Sequence, residues 1–255
     1  MNNLAPSYLF PYMLLGSIAV VAAVVFGLHR ALRLAGFPVQ DRRRAFWTVS
    51  VLLLAWYFAA LLLSWLGFYR GTPSGIPTIQ YGLLIPIVAG VVLFWRWPLL
   101  KRIVELVPQR WIVSVQAFRV LGAIFLVLYA AGRMPGAFAW PAGVNDVIVG
   151  LFAPLVGIAY ARGLRWSSVL LRAWNLFGIA DLVVAASTGF LTSPSRLQIL
   201  AFDKPNVLIG SFPLVMVPVF LLPLAVLLHL ASLEKLRATE SRSAHLNPVF
   251  AGGRG

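Results

Sequence analysis

Seven runs of mostly apolar residues, set apart by short polar breaks, make up most of the chain: about 8–30, 46–67, 78–97, 111–131, 142–161, 171–190 and 207–231. Each approaches the ~20 residues a helix needs to cross a hydrocarbon core at about 1.5 Å per residue. The breaks carry turn chemistry or charge: HRALRLAGFPVQDRRR, YRGTPSGIP, RWPLLKRIVELVPQR, GRMPGAFAWP, ARGLRW and TSPSRLQILAFDKP, in chain order. The third of these reads as a short interfacial helix. The pattern predicts an all-α fold, a polytopic transmembrane bundle of about seven helices over residues 1–236. Residues 237–255 are polar and Gly-rich and read as a disordered cytoplasmic tail.

Composition agrees with this pattern. The chain is 60% hydrophobic and 11% charged, with a mean hydropathy of +0.88, whereas soluble domains average roughly 45–50% apolar and about 25% charged. A net charge of +14 would suit nucleic acid only if a polar face displayed it. Here the basic residues sit in short loops between apolar spans, so nucleic acid is not an expected partner. They report orientation instead. One set of breaks and the C-terminal segment hold Arg30, Arg33, Arg42, Arg43, Arg44, Arg96, Lys101, Arg102, Arg110, Arg162, Arg165, Arg172, Lys235, Arg237, Arg242 and Arg254. The other set holds Arg70, Arg133, Arg196 and Lys204. Sixteen against four predicts the N-terminus outside and the C-terminus in the cytoplasm. The chain has no cysteine, which excludes disulfides, thiolate metal sites and cysteine nucleophiles. The opening residues lack a positive n-region, so the first apolar run is expected to remain as a helix.

Three charges lie inside apolar runs: Arg119 in QAFRVLG, Asp146 in PAGVNDVIVG and Asp181 in WNLFGIADL. A charge at bilayer depth costs roughly 2.5–3.5 kcal/mol on insertion scales, so each calls for a partner or a task. Counting at 1.5 Å per residue, Arg119 lies ~12 Å and Asp181 ~14 Å from the cytoplasmic end, and Asp146 ~6 Å from the outer end. That predicts an Arg119–Asp181 pair, with Asp146 apart and Asn145 beside it. Gln116 is one turn from Arg119 and able to share its partner. Asn175 and Gly178 share a face with Asp181. Gln80, Asn145, Asp146 and Asn206 cluster by depth near the outer ends of the third, fifth and seventh spans. They either line an outward-facing pocket or cap helix N-termini; for Asn206, directly after Pro205, the cap is the better reading. The competing account of Arg119 and Asp181 is an ion pair that only fixes packing.

A weak repeat pairs spans two and three, four and five, and six and seven, each return span opening on a proline and an early polar residue: Pro77 and Gln80, Pro141 and Asp146, Pro205 and Asn206. Pro86, Pro154, Pro213, Pro218 and Pro223 fall within spans, and the three in FPLVMVPVFLLP predict a marked bend in the seventh. No metal site is expected. His29 and His229, ending the first and last spans at similar depth, offer only a weak haem alternative, with no other cofactor predicted. HExxH, GxSxG and phosphate-binding glycine loops are missing.

The segments PAGVNDVIVG, WNLFGIADLVVAASTG and FPLVMVPVFLLPLAVLLHLASLEKL resemble uncharacterised multipass proteins of bacterial inner membranes over roughly residues 75–236. The resemblance implies a bacterial membrane location and brings no catalytic or binding residues. The leading functional expectation is binding or transport of a small solute or proton through Arg119, Asp146 and Asp181 with Gln116 and Asn175. The runner-up is an accessory protein without chemistry, its polar interior fixing helix packing while it engages lipid, a membrane partner protein or its own copies. A haem-binding redox protein is third. Catalysis is not expected.

Overall fold

The computed structural model describes residues 5–34 and 38–246. In chain order these form α1 (Leu9–Leu34), α2 (Val39–Trp65), α3 (Ile79–Arg96), α4 (Pro98–Leu106) and α5 (Gln109–Ser114). A 3-10 segment (Val115–Gly122) runs into α6 (Ala123–Ala130), followed by α7 (Gly136–Ala161), α8 (Ser167–Thr192) and α9 (Leu222–Leu246). Among the described residues there is no strand, and seven helical spans are long and apolar enough to cross a bilayer. Leu15, Leu62, Ile85, Leu155 and Val183 are all more than half exposed. Such side chains belong against lipid in a multipass membrane protein.

The last four spans are the most deeply buried. Between 39% and 50% of their apolar windows is buried, against 11–28% for the first three. One seam explains the difference. Gly136, Gly143, Gly150 and Gly157 recur every seventh residue of α7, on the line that faces the fourth span. A Cβ on Gly150 would stand 2.7 Å from the Val120 backbone nitrogen, and one on Gly157 2.8 Å from Ser114 Oγ and 3.0 Å from the Arg110 carbonyl. Small residues at this spacing let two membrane helices approach until their backbones touch. Ala139, Ala142 and Ala153, all fully buried, widen the same face.

Three boundaries differ from the hydropathy reading. The fifth span begins at Gly136, directly after Pro135, so Pro141 sits inside a helix rather than at its start. The seventh begins at Val217: Pro205 and Asn206 lie in a loop, followed by a 3-10 turn at Leu208–Gly210 and a π-turn at Val217–Leu221. Pro213 therefore lies in the irregular lead-in and Pro218 in the π-turn that opens the span, each lacking the N–H that a regular helix would use. The three return spans do not open alike. Finally, α9 continues to Leu246, so residues 237–246, assigned to the polar tail, are helical, while 247–255 lie outside the described residues. The expected short helix after the third span is α4, whose Ile103 packs on Leu28, Leu32 and Ala45.

Candidate functional site

The fourth span changes its winding where its polar residues fall. In an α-helix, positions three apart drift around the axis; in a 3-10 helix they eclipse. Over Val115–Gly122 the buried residues are Gln116, Arg119 and Gly122, a single line turned toward α7, α8 and α9. The tighter winding thus gathers an amide, a guanidinium and a bare backbone position onto one inward edge.

Arg119 is the hub. Its Nε donates to Asp146 Oδ1 at 2.6 Å, and its Nη2 lies 2.6 Å from the same oxygen while pairing with Asp181 Oδ2. Nη1 donates to the Gly178 carbonyl at 3.2 Å and stands 3.4 Å from His229 Nε2. The expected Arg119–Asp181 contact is present. The expected separation of Asp146 is not: Asp146 shares the same guanidinium. The physical reason is the helix start, since from Gly136 Asp146 is ten residues in, ~15 Å rather than ~6 Å at 1.5 Å per residue. Asn145 is half-buried and lies alongside Asp181, whose Oδ1 nevertheless makes no hydrogen bond.

The hydrogen-bond directions beyond Arg119 follow from what each atom can do. A guanidinium only donates, so His229 Nε2 accepts and Nδ1 must carry the ring proton. It donates to Asn175 Oδ1 at 2.9 Å. The Asn175 Nδ2 then donates to the Leu171 carbonyl at 2.8 Å and to Ser232 Oγ at 2.9 Å. Gln109 Nε2 also donates to Ser232 Oγ, at 2.7 Å. Gln116 does not share Arg119's partners; it donates to the Ala225 carbonyl at 2.9 Å. A polar chain therefore runs from Asp146 to Gln109, near the end of the bundle that carries Arg110 and Lys235.

His229, Ser232 and Gln109 were missed as members of this network. His229 and Ser232, three residues apart, share one face of α9, the only sequence signal for them. A span ending near 231 would leave His229 at a helix end; the extension of α9 makes it interior and fully buried, and both its nitrogens have protein partners. His29 stacks edge-on against Phe46. Replacing His229 with phenylalanine should cost about 1–3 kcal/mol by orphaning Asn175 Oδ1, and glutamine should recover part of it. Thermal unfolding of the purified variants checks this; equal losses would show that ring volume matters and the bonds do not.

A cavity of ≈ 910 Å³ stands on this cluster. Its lower wall includes Arg119, Gly122 and Asp146; its upper wall comes from residues 5–10, the α2–α3 connection and residues 193–213. Exposed residues at its rim, Trp65, Arg70 and Val207 among them, open it at the end where the chain starts. The rim is tied together: Arg196 Nε donates to the Ser74 carbonyl at 2.6 Å and its backbone N–H to Gly75 at 3.1 Å. Tyr69, buried at the wall, has its phenol pushed above the ordinary value by that burial. From residues 132–141, of which 136–141 are helical, only Phe138 reaches the wall.

Asp146 is the cavity's acid, with its side chain 12% exposed against 1% for Asp181. Its Oδ2 lies against Gly122, where a Cβ would come within 2.5 Å; the missing side chain keeps that oxygen open. Asn206 also lines the cavity. It does not cap a helix: its side chain is fully buried with neither Oδ1 nor Nδ2 hydrogen-bonded. Gln80, half-buried in the first turn of α3, is not among the lining residues.

A family model for a domain of unknown function, DUF8737, matches residues 76–237. The chain belongs to that family. No curated protein and no solved structure matches it. The DUF8737 region starts just before α3 and holds the whole Arg119 network, whereas α1 and α2, which close one side of the cavity, precede it.

Proposed function

We propose that this DUF8737 protein is a binding or transport module of a bacterial cytoplasmic membrane, taking a small solute or a proton in its cavity. Arg119, Asp146 and Asp181 engage it, with Asn175 and His229 holding Arg119 in place. The observation that carries this reading is the joining of a large cavity to a buried charged cluster. Ion pairs that only fix packing need no open space beside them, and a cavity of a few hundred Å³ with a few convergent polar groups is the usual form of a ligand site. The test is a thermal-shift screen of amines, amino acids, carboxylates and neutral solutes on protein in lipid nanodiscs. A ligand that stabilises the wild type should lose its effect when Ala186, on the cavity wall, is replaced by phenylalanine. The runner-up, an accessory role, draws on the burial of Arg119 and Asp181, both 1% exposed. A screen without a single shift would favour it.

In this reading the N-terminus is outside and the cavity opens outward. The support is the distribution of basic residues, sixteen against four, by the rule that Lys and Arg stay on the cytoplasmic side. A reporter fused after Gly255 should be active only in the cytoplasm. Activity on the other side would turn the cavity to face the cytoplasm.

A further inference from the structure

Building on the cavity reading, we propose that the ligand is an organic cation with an apolar, aromatic-compatible body, its charge seated at Asp146. The charge count comes first. The cluster brings one guanidinium against two carboxylates, all three largely removed from water, with Arg119 and Asp146 on the cavity wall. With both acids ionised it lacks one positive charge, and a buried charge without compensation is strongly disfavoured. Among the described residues no second cation is recorded against the two carboxylates, and His229 accepts from Arg119 through one nitrogen and donates to Asn175 through the other. An anion finds no vacancy here, because Arg119 already faces two carboxylates. Arg70 does line the cavity, but at the exposed rim, where water screens it.

The walls supply the second argument. Above Asp146 the lining is mainly apolar and rich in rings, with Phe118, Phe125, Phe138, Phe190, Tyr69 and Trp65 contributing. Aromatic faces attract cations most strongly where both are shielded from water. Asn206 is the third. Its amide is fully buried on the same wall and has no partner for either polar atom, a state that native proteins rarely leave uncorrected. A ligand carrying a hydrogen-bonding group away from its charge would satisfy it.

Tetraphenylphosphonium and tetraphenylborate are nearly the same shape with opposite charge, so they separate charge from fit. Binding of each to protein in nanodiscs is measured by equilibrium dialysis, with Ala186→Phe as the filled-cavity blank. The expected result is cation binding above the blank and no anion binding, with Asp146→Asn weakening the cation about tenfold or more, as for a lost desolvated charge partner. Size-exclusion chromatography checks that the variant is folded; the comparison of the two ions on wild type needs no variant. Anion binding equal to or tighter than cation binding overturns the proposal and leaves the cavity reading intact. Full cation affinity in a folded Asp146→Asn protein also overturns it. Failure of both ions overturns it too, and the cavity reading is then judged separately by the neutral solutes of the thermal-shift screen.

Discussion

Replacing Arg119 with leucine should destabilise the protein by about 3–5 kcal/mol, the range seen when one member of a buried ionic group is removed and its partners are left charged. Two carboxylates depend on this one side chain, Asp146 through Nε and Asp181 through Nη2. The Gly178 carbonyl and His229 Nε2 lose their donor at the same time. The loss should exceed that of Asp181→Asn, which keeps a polar group of the same shape beside the guanidinium. Adding Asp146→Asn and Asp181→Asn to Arg119→Leu should recover most of the stability, because no charge then remains buried without its counterpart. Thermal or denaturant unfolding in nanodiscs compares the four proteins. If the triple variant is no more stable than Arg119→Leu alone, the three residues do not act as one electrostatic unit.

Hydropathy was enough to find the seven spans and the Arg119–Asp181 contact, since long apolar runs and isolated charges within them are local signals. Where it failed, a helix boundary was at fault. Placing the fifth span's start at 142 rather than at Gly136 lifted Asp146 away from Arg119. Ending the seventh near 231 puts His229 at a span end, when α9 runs on to Leu246. Pro141 and Pro205 look alike as helix starters, but the first sits within a helix and the second in a loop. A proline's fixed φ suits both settings, so the residue alone does not discriminate.

The 3-10 winding of Val115–Gly122 was not legible either. Its residues, VQAFRVLG, contain nothing that opposes an α-helix, and the segment has no local cause we can name. Its consequence is clear: Gln116, Arg119 and Gly122 share one edge, and Gly122 leaves Asp146 Oδ2 uncovered toward the cavity. Asn206 shows a related limit. Position after a proline suggested a cap, a local role, whereas its unpartnered burial is set by how residues 193–213 fold over the cavity. Polar residues whose partners lie on other spans can be recognised from sequence as anomalies but not assigned.

The glycine seam of α7 was present in the sequence as a strict seven-residue spacing, and a single methyl group added to it should be damaging. Gly150→Ala adds a Cβ 2.7 Å from the Val120 backbone nitrogen and 3.2 Å from the Ala117 carbonyl. These are backbone atoms of the 3-10 segment, so no rotamer change relieves the clash; α7 or the segment itself has to move. Overpacking of this kind typically costs about 1–3 kcal/mol, partly offset by the ~1 kcal/mol gain in helix propensity from glycine to alanine. Val120 adjoins Arg119, and Asp146 lies one turn from Gly150. The shift should therefore loosen the Arg119–Asp146 contact and weaken any ligand response with it. Gly189→Ala in α8 is the control. Its Cβ would meet Phe138 at 3.5 Å, an ordinary contact, so the variant should be as stable as wild type or slightly more so. Unfolding measurements on both variants, with the ligand response alongside, decide the matter. A Gly150→Ala protein as stable as Gly189→Ala would mean that α7 and the 3-10 segment are not in backbone contact, and that the site is not held by this seam.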